Sequence, residues 1–144
     1  METKNKQAAN TTEAYKAYLM EVMVALAIQD YQGGIIAYQN WIKEQYLDVT
    51  TQMIEEHDVV SREVVLQMAA ACRQRFNTHY AIATTGYTGE GNQRIPSGTI
   101  YIGFAGPTST KAIKLSLPNS SREDNTAIAT QTAIREFLEW IENT

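Results

Sequence analysis

The sequence predicts a layered α/β protein with a mixed sheet. Segments with helical spacing of apolar residues alternate along the chain with short apolar or β-branched segments that suit strands. The length of 144 residues fits one domain, and 44% apolar with 19% charged residues is typical of a globular protein. We expect a flexible tail over residues 1–10 and a single domain over residues 11–144.

The first half of the chain contains a predicted helix, a strand and two further helices. Asn10, Thr11 and Thr12 suit an N-cap, and a helical apolar pattern follows them. Gly33 and Gly34 then open the apolar run IIAY, which predicts a buried strand. The segments NWIKEQYLDV and TTQMIEEH predict two short helices. The apolar positions of the first helix are Tyr15, Leu19, Val22, Met23, Leu26 and Ala27.

The second half contains a long helix, three strands and a final helix. Ser61 suits the N-cap of the helical segment SREVVLQMAAACRQRF. Tyr80–Ala83 and Thr99–Gly103 predict two strands around a glycine-rich loop, and the alternating segment KAIKLSL predicts a third. The last helix is predicted from Glu123 to Glu142. Predicted inward-facing positions are Val64, Val65, Met68, Cys72 and Phe76 in the long helix, and Ile128, Ile134, Leu138 and Ile141 in the last.

Charge and cysteine content argue against several classes of protein. A net charge of −4 and a pI near 5.2 oppose binding to nucleic acid or to an anionic membrane surface. No apolar stretch reaches the roughly 18 residues that a membrane span needs. The polar N-terminus lacks the apolar core of a secretory signal. With a single cysteine, Cys72, no internal disulfide can form, so we expect a cytoplasmic protein.

Common catalytic and metal-binding motifs are absent from the sequence. His57 and His79 have neither a cysteine partner nor HExxH spacing, so no metal site is predicted. There is no GxxxxGK[ST] phosphate loop and no GxSxG nucleophile turn. Cys72 lies on the apolar stripe of its helix, which is typical of a buried structural thiol.

The loop between the two predicted strands is the first candidate for a ligand site. It carries Gly86, Gly89, Gly91 and Gly98, and glycines let backbone amides approach a small molecule closely. An irregular connection between strands would use glycines in the same way. The loop alone therefore leaves both interpretations open.

Lys43 is the second candidate. It follows Tyr38 by five residues, just beyond a predicted strand end, where α/β sheets place their sites. In the first turn of a helix the dipole opposes a positive charge and lowers the pKa of a nearby amine. A partly desolvated Lys43 could then act as a general base. The alternative is a solvated surface lysine.

Four segments in sequence resemble motifs of the CinA C-terminal domain family, the nicotinamide-mononucleotide deamidase (PncC-type amidohydrolase) family. Residues 33–40, GGIIAYQN, followed by Lys43, look like its GGVVAYSNxxK, and residues 57–69, HDVVSREVVLQMA, look like HGAVSxEVAxxMA. Residues 85–89, TGYTG, look like TGIAGP, and residues 96–103, PSGTIYIG, look like PxGTVxIG. Residues 118–123 are similar to its FxGDRE segment with a small insertion. The resemblance covers about residues 31–142.

The resemblance implies a three-layer α/β/α sandwich and hydrolysis of the carboxamide of nicotinamide mononucleotide, with no cofactor and no metal. Tyr38 and Lys43 match the family's activating tyrosine and lysine. A serine hydroxyl is a weak nucleophile that needs such an adjacent base. The resemblance also implies a set of ligand-binding residues: Gly33, Gly34, Thr85, Gly86, Gly89, Gly98 and Thr99.

The chain departs from the family at the nucleophile. Active members carry an ESxTGG motif after an initial strand, and no such motif occurs here. Counted back from Gly33 without gaps, the serine position falls at Thr11, and Ala14 and Tyr15 stand at the motif's two glycines. The polar segment METKNKQAAN cannot build the initial strand, which we expect to be missing.

Three functions remain open from the sequence. The favoured one is a catalytically impaired relative that keeps a pocket for a nicotinamide-nucleotide-like small molecule or has an interaction role. The second is an active amidohydrolase in which Thr11 or Thr12 is the nucleophile and Lys43 the base. The third is a subunit whose role is assembly, because family members resemble homo-oligomers.

Overall fold

Helices precede and follow a sheet in the part of the chain that the structure describes. The computed structural model describes residues 31–117 and 120–144, and the predictions for the tail, the first helix, Thr11 and Thr12 lie outside them. Gly33–Thr144 form one compact unit. The elements in chain order are α1 (Asn40–Tyr46), α2 (Thr51–His57), α3 (Arg62–Phe76), β1 (Ala81–Tyr87), β2 (Thr99–Ala105), β3 (Thr110–Ser116) and α4 (Arg122–Glu142).

Side-chain caps fix where the longer helices begin. The Ser61 hydroxyl accepts the backbone N–H of Val64 at 3.3 Å, which confirms the predicted N-cap of α3. Ser121 caps α4 in the same way, accepting the N–H of Asp124 at 3.1 Å. Each cap satisfies an N–H that has no partner within its helix. Asn77, in a left-handed conformation, ends α3.

The sheet has the order β1-β2-β3, and both pairs are antiparallel. Gly103 of the central strand lies opposite Ala83 on one side and Ala112 on the other. The described strands contain no parallel pair, so the strand that would make the sheet mixed is absent from residues 31–117 and 120–144. The predicted α/β class is confirmed.

Helices cover both faces of the sheet, so the described part has three layers. On one face, a Cβ at Gly103 would lie 2.7 Å from the carbonyl oxygen of Val65 in α3. On the other, Phe104 stacks on Trp140 of α4, with ring centroids 5.7 Å apart. Because β2 is central and covered on both faces, six of its seven residues are buried.

The apolar run at residues 35–38 is not the buried strand that the sequence predicts. It belongs to no strand, and Ile36 and Tyr38 are 80% and 70% exposed. Only the alternate residues Ile35 and Ala37 pack against the core. The reason is that no described strand pairs with this segment, so half of its side chains face outward.

Strand β1 extends further than predicted and takes in part of the glycine loop. Thr85 and Gly86 lie inside β1, opposite Tyr101 and Ile100. The loop is therefore residues 88–98, the β1–β2 loop, and Gly86 is a strand residue. A Cβ at Gly86 would lie 2.8 Å from Cγ1 of Ile100, so the close approach of the neighbouring strand requires glycine there.

The predicted inward stripe of α4 is also wrong. Ile128 and Leu138 are 38% and 42% exposed, and Ile134 and Ile141 are only partly buried. Small or polar residues form most of the buried face, because they let the helix lie close to the sheet. That face consists of Asn125, Ala129, Thr132, Ala133 and Phe137.

Candidate functional site

Lys43 is a buried amine. Its side chain comes from the middle of α1, and only 6% of the residue is exposed. The ammonium donates a hydrogen bond to the carbonyl oxygen of Ala37 at 2.5 Å. It forms no ion pair with a carboxylate of residues 31–117 or 120–144. The alternative of a solvated surface lysine is therefore wrong.

Burial lowers the pKa of Lys43 below its ordinary value, because the charged ammonium loses its hydration. The sequence predicted this direction from the dipole of α1, whereas the physical cause is desolvation. A lysine with a lowered pKa spends more time as the free amine, which can accept a proton. The side chain thus has the property that a general base needs.

Tyr38 and the two glycines before it lie on the same extended segment as the carbonyl that holds Lys43. Tyr38 is 70% exposed, so its ring is accessible. Gly33 has φ = 151°, and a Cβ there would lie 2.6 Å from the ring of Phe76. Its conformation and the close ring both require glycine, which accounts for Gly33 by packing alone. Gly34 is exposed.

In the β1–β2 loop, Gly89 is the glycine with open space around it. A Cβ there would meet only Cδ of Arg122, at 4.0 Å. Within the described residues its N–H makes no hydrogen bond, and the residue is partly exposed. Gly98 is instead a turn residue with φ = 76°, and its N–H donates to the carbonyl of Tyr87 at 2.7 Å. Gly89 is thus the loop position best placed to meet a ligand.

Hydroxyl groups in the family-like motifs are occupied by structural hydrogen bonds. Thr85 is buried and donates from Oγ1 to the carbonyl of Val59 at 2.9 Å. Ser61 donates to the carbonyl of Asp58 at 2.8 Å, and Ser97 donates to the carbonyl of Gly89. Thr99 is 3% exposed.

A polar cluster that sequence reasoning missed lies where the loop meets the end of α2. Oδ1 of Asp58 accepts the Tyr87 hydroxyl at 3.3 Å, and Oδ2 accepts Nδ2 of Asn92 at 2.9 Å. Burial, followed by the charge of Asp58, raises the pKa of Tyr87. Next to the cluster, the guanidinium of Arg94 donates to the carbonyls of Glu55 and Glu56 at 3.0 and 2.9 Å.

The candidate residues fall into two groups. Lys43 and Tyr38 lie on and beside α1, whereas Thr85, Gly86, Gly89, Gly98 and Thr99 lie on β1, β2 and their loop. Within residues 31–117 and 120–144, no hydrogen bond or ion pair joins the two groups. Their roles as a ligand site remain predictions.

Other candidate chemistry is structural in the described part of the chain. Cys72 packs against the core, and burial raises the pKa of its thiol, which disfavours the nucleophilic thiolate. In that part, no three His, Cys, Asp or Glu residues cluster as metal ligands would. Nor does any helix there combine the length and apolar character of a membrane span.

Comparisons with known proteins match most of this chain and point to one group of relatives. The CinA C-terminal domain family matches residues 15–141. A CinA-like protein of Cytophaga hutchinsonii is 36% identical over 136 residues, covering 91% of this chain and 32% of the relative. One from Amoebophilus asiaticus is 34% identical, covering 78% of this chain and 27% of the relative. The chain thus spans about a third of the length of these curated relatives.

Solved structures share the fold. A CinA superfamily protein from Escherichia coli superposes with a TM-score of 0.69 at 25% identity, covering 72% of this chain and 61% of that one. A superfamily protein from Klebsiella pneumoniae 700603 gives a TM-score of 0.71 at 22% identity, covering 75% and 68%, and supports the fold alone. The sequence matches and the shared fold agree, and the chain belongs to the CinA C-terminal domain family.

Proposed function

We propose that this chain binds a nicotinamide-mononucleotide-like ligand and has lost most or all of the amidase activity that the family resemblance implies. The observation that carries the proposal is Lys43. An unpaired lysine is costly to bury, and among residues 31–117 and 120–144 the only partner of the buried Lys43 ammonium is a backbone carbonyl, which indicates a functional group. Its acceptor, Ala37, immediately precedes the exposed Tyr38, the residue that matches the family's tyrosine.

Two further observations favour ligand binding. The open Gly89 offers a backbone N–H that has no acceptor among the residues that the structure describes, the kind of donor that binds a phosphate or a carboxamide oxygen. The segment Gly33–Tyr38 also stays exposed on one side, so it leaves Tyr38 free to meet a small molecule.

Three hydroxyls in the family-like motifs are poor replacements for the missing serine. The hydroxyls of Thr85, Ser61 and Ser97 donate to backbone carbonyls, and a hydroxyl committed in this way is a poor nucleophile. The Cys72 thiol has a raised pKa. The loss of a nucleophile typically costs about 10⁶-fold in kcat. These contacts support impaired hydrolysis.

Titration calorimetry with nicotinamide mononucleotide, paired with an ammonia-release assay, tests the proposal. We expect saturable binding and no ammonia above background. Lys43→Ala removes the buried amine and should weaken binding about tenfold or more, since a charged hydrogen bond contributes about 1.5–3 kcal/mol. Lys114→Ala removes an exposed lysine of β3 and should leave binding unchanged.

An active enzyme is the alternative, and the lowered pKa of Lys43 is the observation that favours it. In that case ammonia is released at a rate that Lys43→Ala abolishes and Lys114→Ala preserves. That result would contradict impaired hydrolysis and would direct substitution to Thr11 and Thr12. The absence of both binding and ammonia release would contradict the nucleotide proposal altogether.

A further inference from the structure

We propose that Asp58, Tyr87 and Asn92 form a clamp that holds the β1–β2 loop in its ligand-binding conformation, and that the three are positioning residues of the site. The inference rests on the proposed function, because it takes the open Gly89 of this loop as a ligand contact. The clamp residues themselves are not assigned any contact with the ligand.

The backbone at Asp58 is the first observation. The residue ends α2 with φ = 73° and ψ = 154°, a conformation that is almost confined to glycine. A side chain persists in such a conformation only where its surroundings stabilise it. The contacts of the carboxylate are therefore what compensates the strain.

Both carboxylate oxygens of Asp58 accept hydrogen bonds. Oδ1 accepts the N–H of Val60 at 3.0 Å and the Tyr87 hydroxyl at 3.3 Å, while Oδ2 accepts Nδ2 of Asn92 at 2.9 Å. Nδ2 of Asn92 also donates to the Tyr87 oxygen at 3.0 Å, which closes a ring of three side chains. Asp58 is 6% exposed, so its carboxylate has little contact with water, whereas Asn92 lies at the exposed side of the cluster.

Asn92 transmits the clamp to the loop backbone. Its Oδ1 accepts the N–H groups of Arg94 and Ile95 at 2.9 and 2.8 Å, which fixes the orientation of its amide. The backbone N–H of Asn92 in turn donates to the carbonyl of Ile95 at 2.9 Å. The carboxylate of Asp58 therefore holds the turn at residues 92–95.

The other end of the loop is held separately. The Thr88 carbonyl accepts Nδ2 of Asn125 in α4 at 3.0 Å, and the Gly89 carbonyl accepts the Ser97 hydroxyl. Gly89 thus lies between two anchored points, and its own N–H has no partner in the described part of the chain. A loop fixed in advance binds its ligand without an ordering cost. If loss of the clamp leaves the binding conformation about one-tenth populated, the apparent Kd rises about tenfold.

Exchanging the two clamp groups gives a sharp test in the full-length protein. Asp58→Asn places an amide donor against the Asn92 amide, and Asn92→Asp places two carboxylates together. The double variant restores a donor and an acceptor at the same contact. We expect each single variant to raise the Kd for nicotinamide mononucleotide about tenfold, and the double variant to recover most of the loss.

Asp58→Gly separates positioning from folding, because glycine accepts the backbone conformation without strain. We expect a melting temperature close to that of the parent protein. Amide hydrogen exchange over residues 88–98 should be faster, and the Kd for nicotinamide mononucleotide should be about tenfold higher. Lys111→Met is the control: it breaks the 3.0 Å ion pair with Glu136, between β3 and α4, and should change neither loop exchange nor Kd.

The outcomes distinguish the clamp from the proposed function. If the parent protein binds nicotinamide mononucleotide and the Asp58 and Asn92 variants bind it equally well, the clamp is wrong and the proposed function stands. Single variants that the double exchange fails to rescue would also overturn the clamp. If the parent protein does not bind the nucleotide, both proposals fail.

Discussion

At the scale of single residues, Lys43 is expected to carry a stability cost that depends on pH. Burial lowers its pKa from the ordinary 10.5, so the unfolded chain holds the Lys43 proton more tightly than the folded chain does. Below the lowered pKa the folded state bears the full cost of a buried charge. As the pH rises from that value to 10.5, the cost disappears, and this contribution makes the folded state more stable.

Lys43→Met removes the titrating group and keeps an unbranched side chain. We expect the stability of the parent protein relative to this variant to rise as the pH increases towards 10.5, since only the parent protein has the cost of a buried charge to lose. Urea unfolding of both proteins across that range measures the difference. Lys114→Met, on the surface, serves as control. A difference from the parent protein that stays constant with pH would show that Lys43 is not destabilised by burial.

The same scale shows why part of the site could be predicted and part could not. Lys43 could be identified because the signal is local: it follows Tyr38 by five residues, just beyond a predicted strand end. The bonds from Asp58 to Tyr87 and Asn92 instead span 29 and 34 residues, and no local pattern encodes them. Only one signal was available: an aspartate at the position where the motif HGAVS has glycine.

At the scale of elements, the contact between α3 and β2 is tight at Gly103. A Cβ there would lie 2.7 Å from the carbonyl oxygen and 3.0 Å from the carbonyl carbon of Val65, and a helix backbone cannot yield locally. Gly103→Ala should therefore destabilise the fold by about 1–3 kcal/mol. Gly89→Ala meets only one flexible side-chain atom and should change stability by less than about 0.5 kcal/mol. Chemical denaturation of the two variants checks this, and equal effects would contradict it.

Helices that begin at a recognisable N-cap residue were predicted well, but the face that such a helix buries was not always predicted. Ser61 and the apolar spacing after it identify α3 correctly. In α4 the large apolar residues Ile128 and Leu138 are partly exposed, because the helix packs on the sheet through the face that contains Ala129 and Ala133. Helical periodicity finds the apolar positions, but it does not say which of two stripes the neighbouring layer will cover.

At the scale of the whole molecule, the three layers follow from one central strand. Alternate residues of β2 face α3 and α4, so Gly103 lies against one helix while Phe104 lies against the other. Alternation of helical and strand segments predicts a layered α/β domain, and the resemblance to the family implies the three layers. The antiparallel order β1-β2-β3 was not predicted, because strand pairing depends on tertiary contacts that the pattern of single strands does not contain. Assembly into homo-oligomers stays a prediction.

Aromatic residues join the α4 layer to the sheet. Phe137 is 8% exposed, and its ring lies 5.9 Å from those of Tyr80 and Phe104. Phe137→Ala should cost about 3–5 kcal/mol, because it leaves a cavity between the layers. Leu138→Ala, one position along, should cost less than about 1 kcal/mol, because Leu138 is 42% exposed and alanine favours the helix.

Thermal and urea unfolding of these two variants measure how the α4 layer contributes to the fold. A large loss for Phe137→Ala with a small one for Leu138→Ala would establish that α4 packs through its small-residue face and this one ring. The reverse order would mean that the stripe containing Leu138 is the buried one, and that the helix is rotated about its axis relative to the sheet. Because Phe104 belongs to the central strand, such a rotation would disturb the strand that both helical layers share.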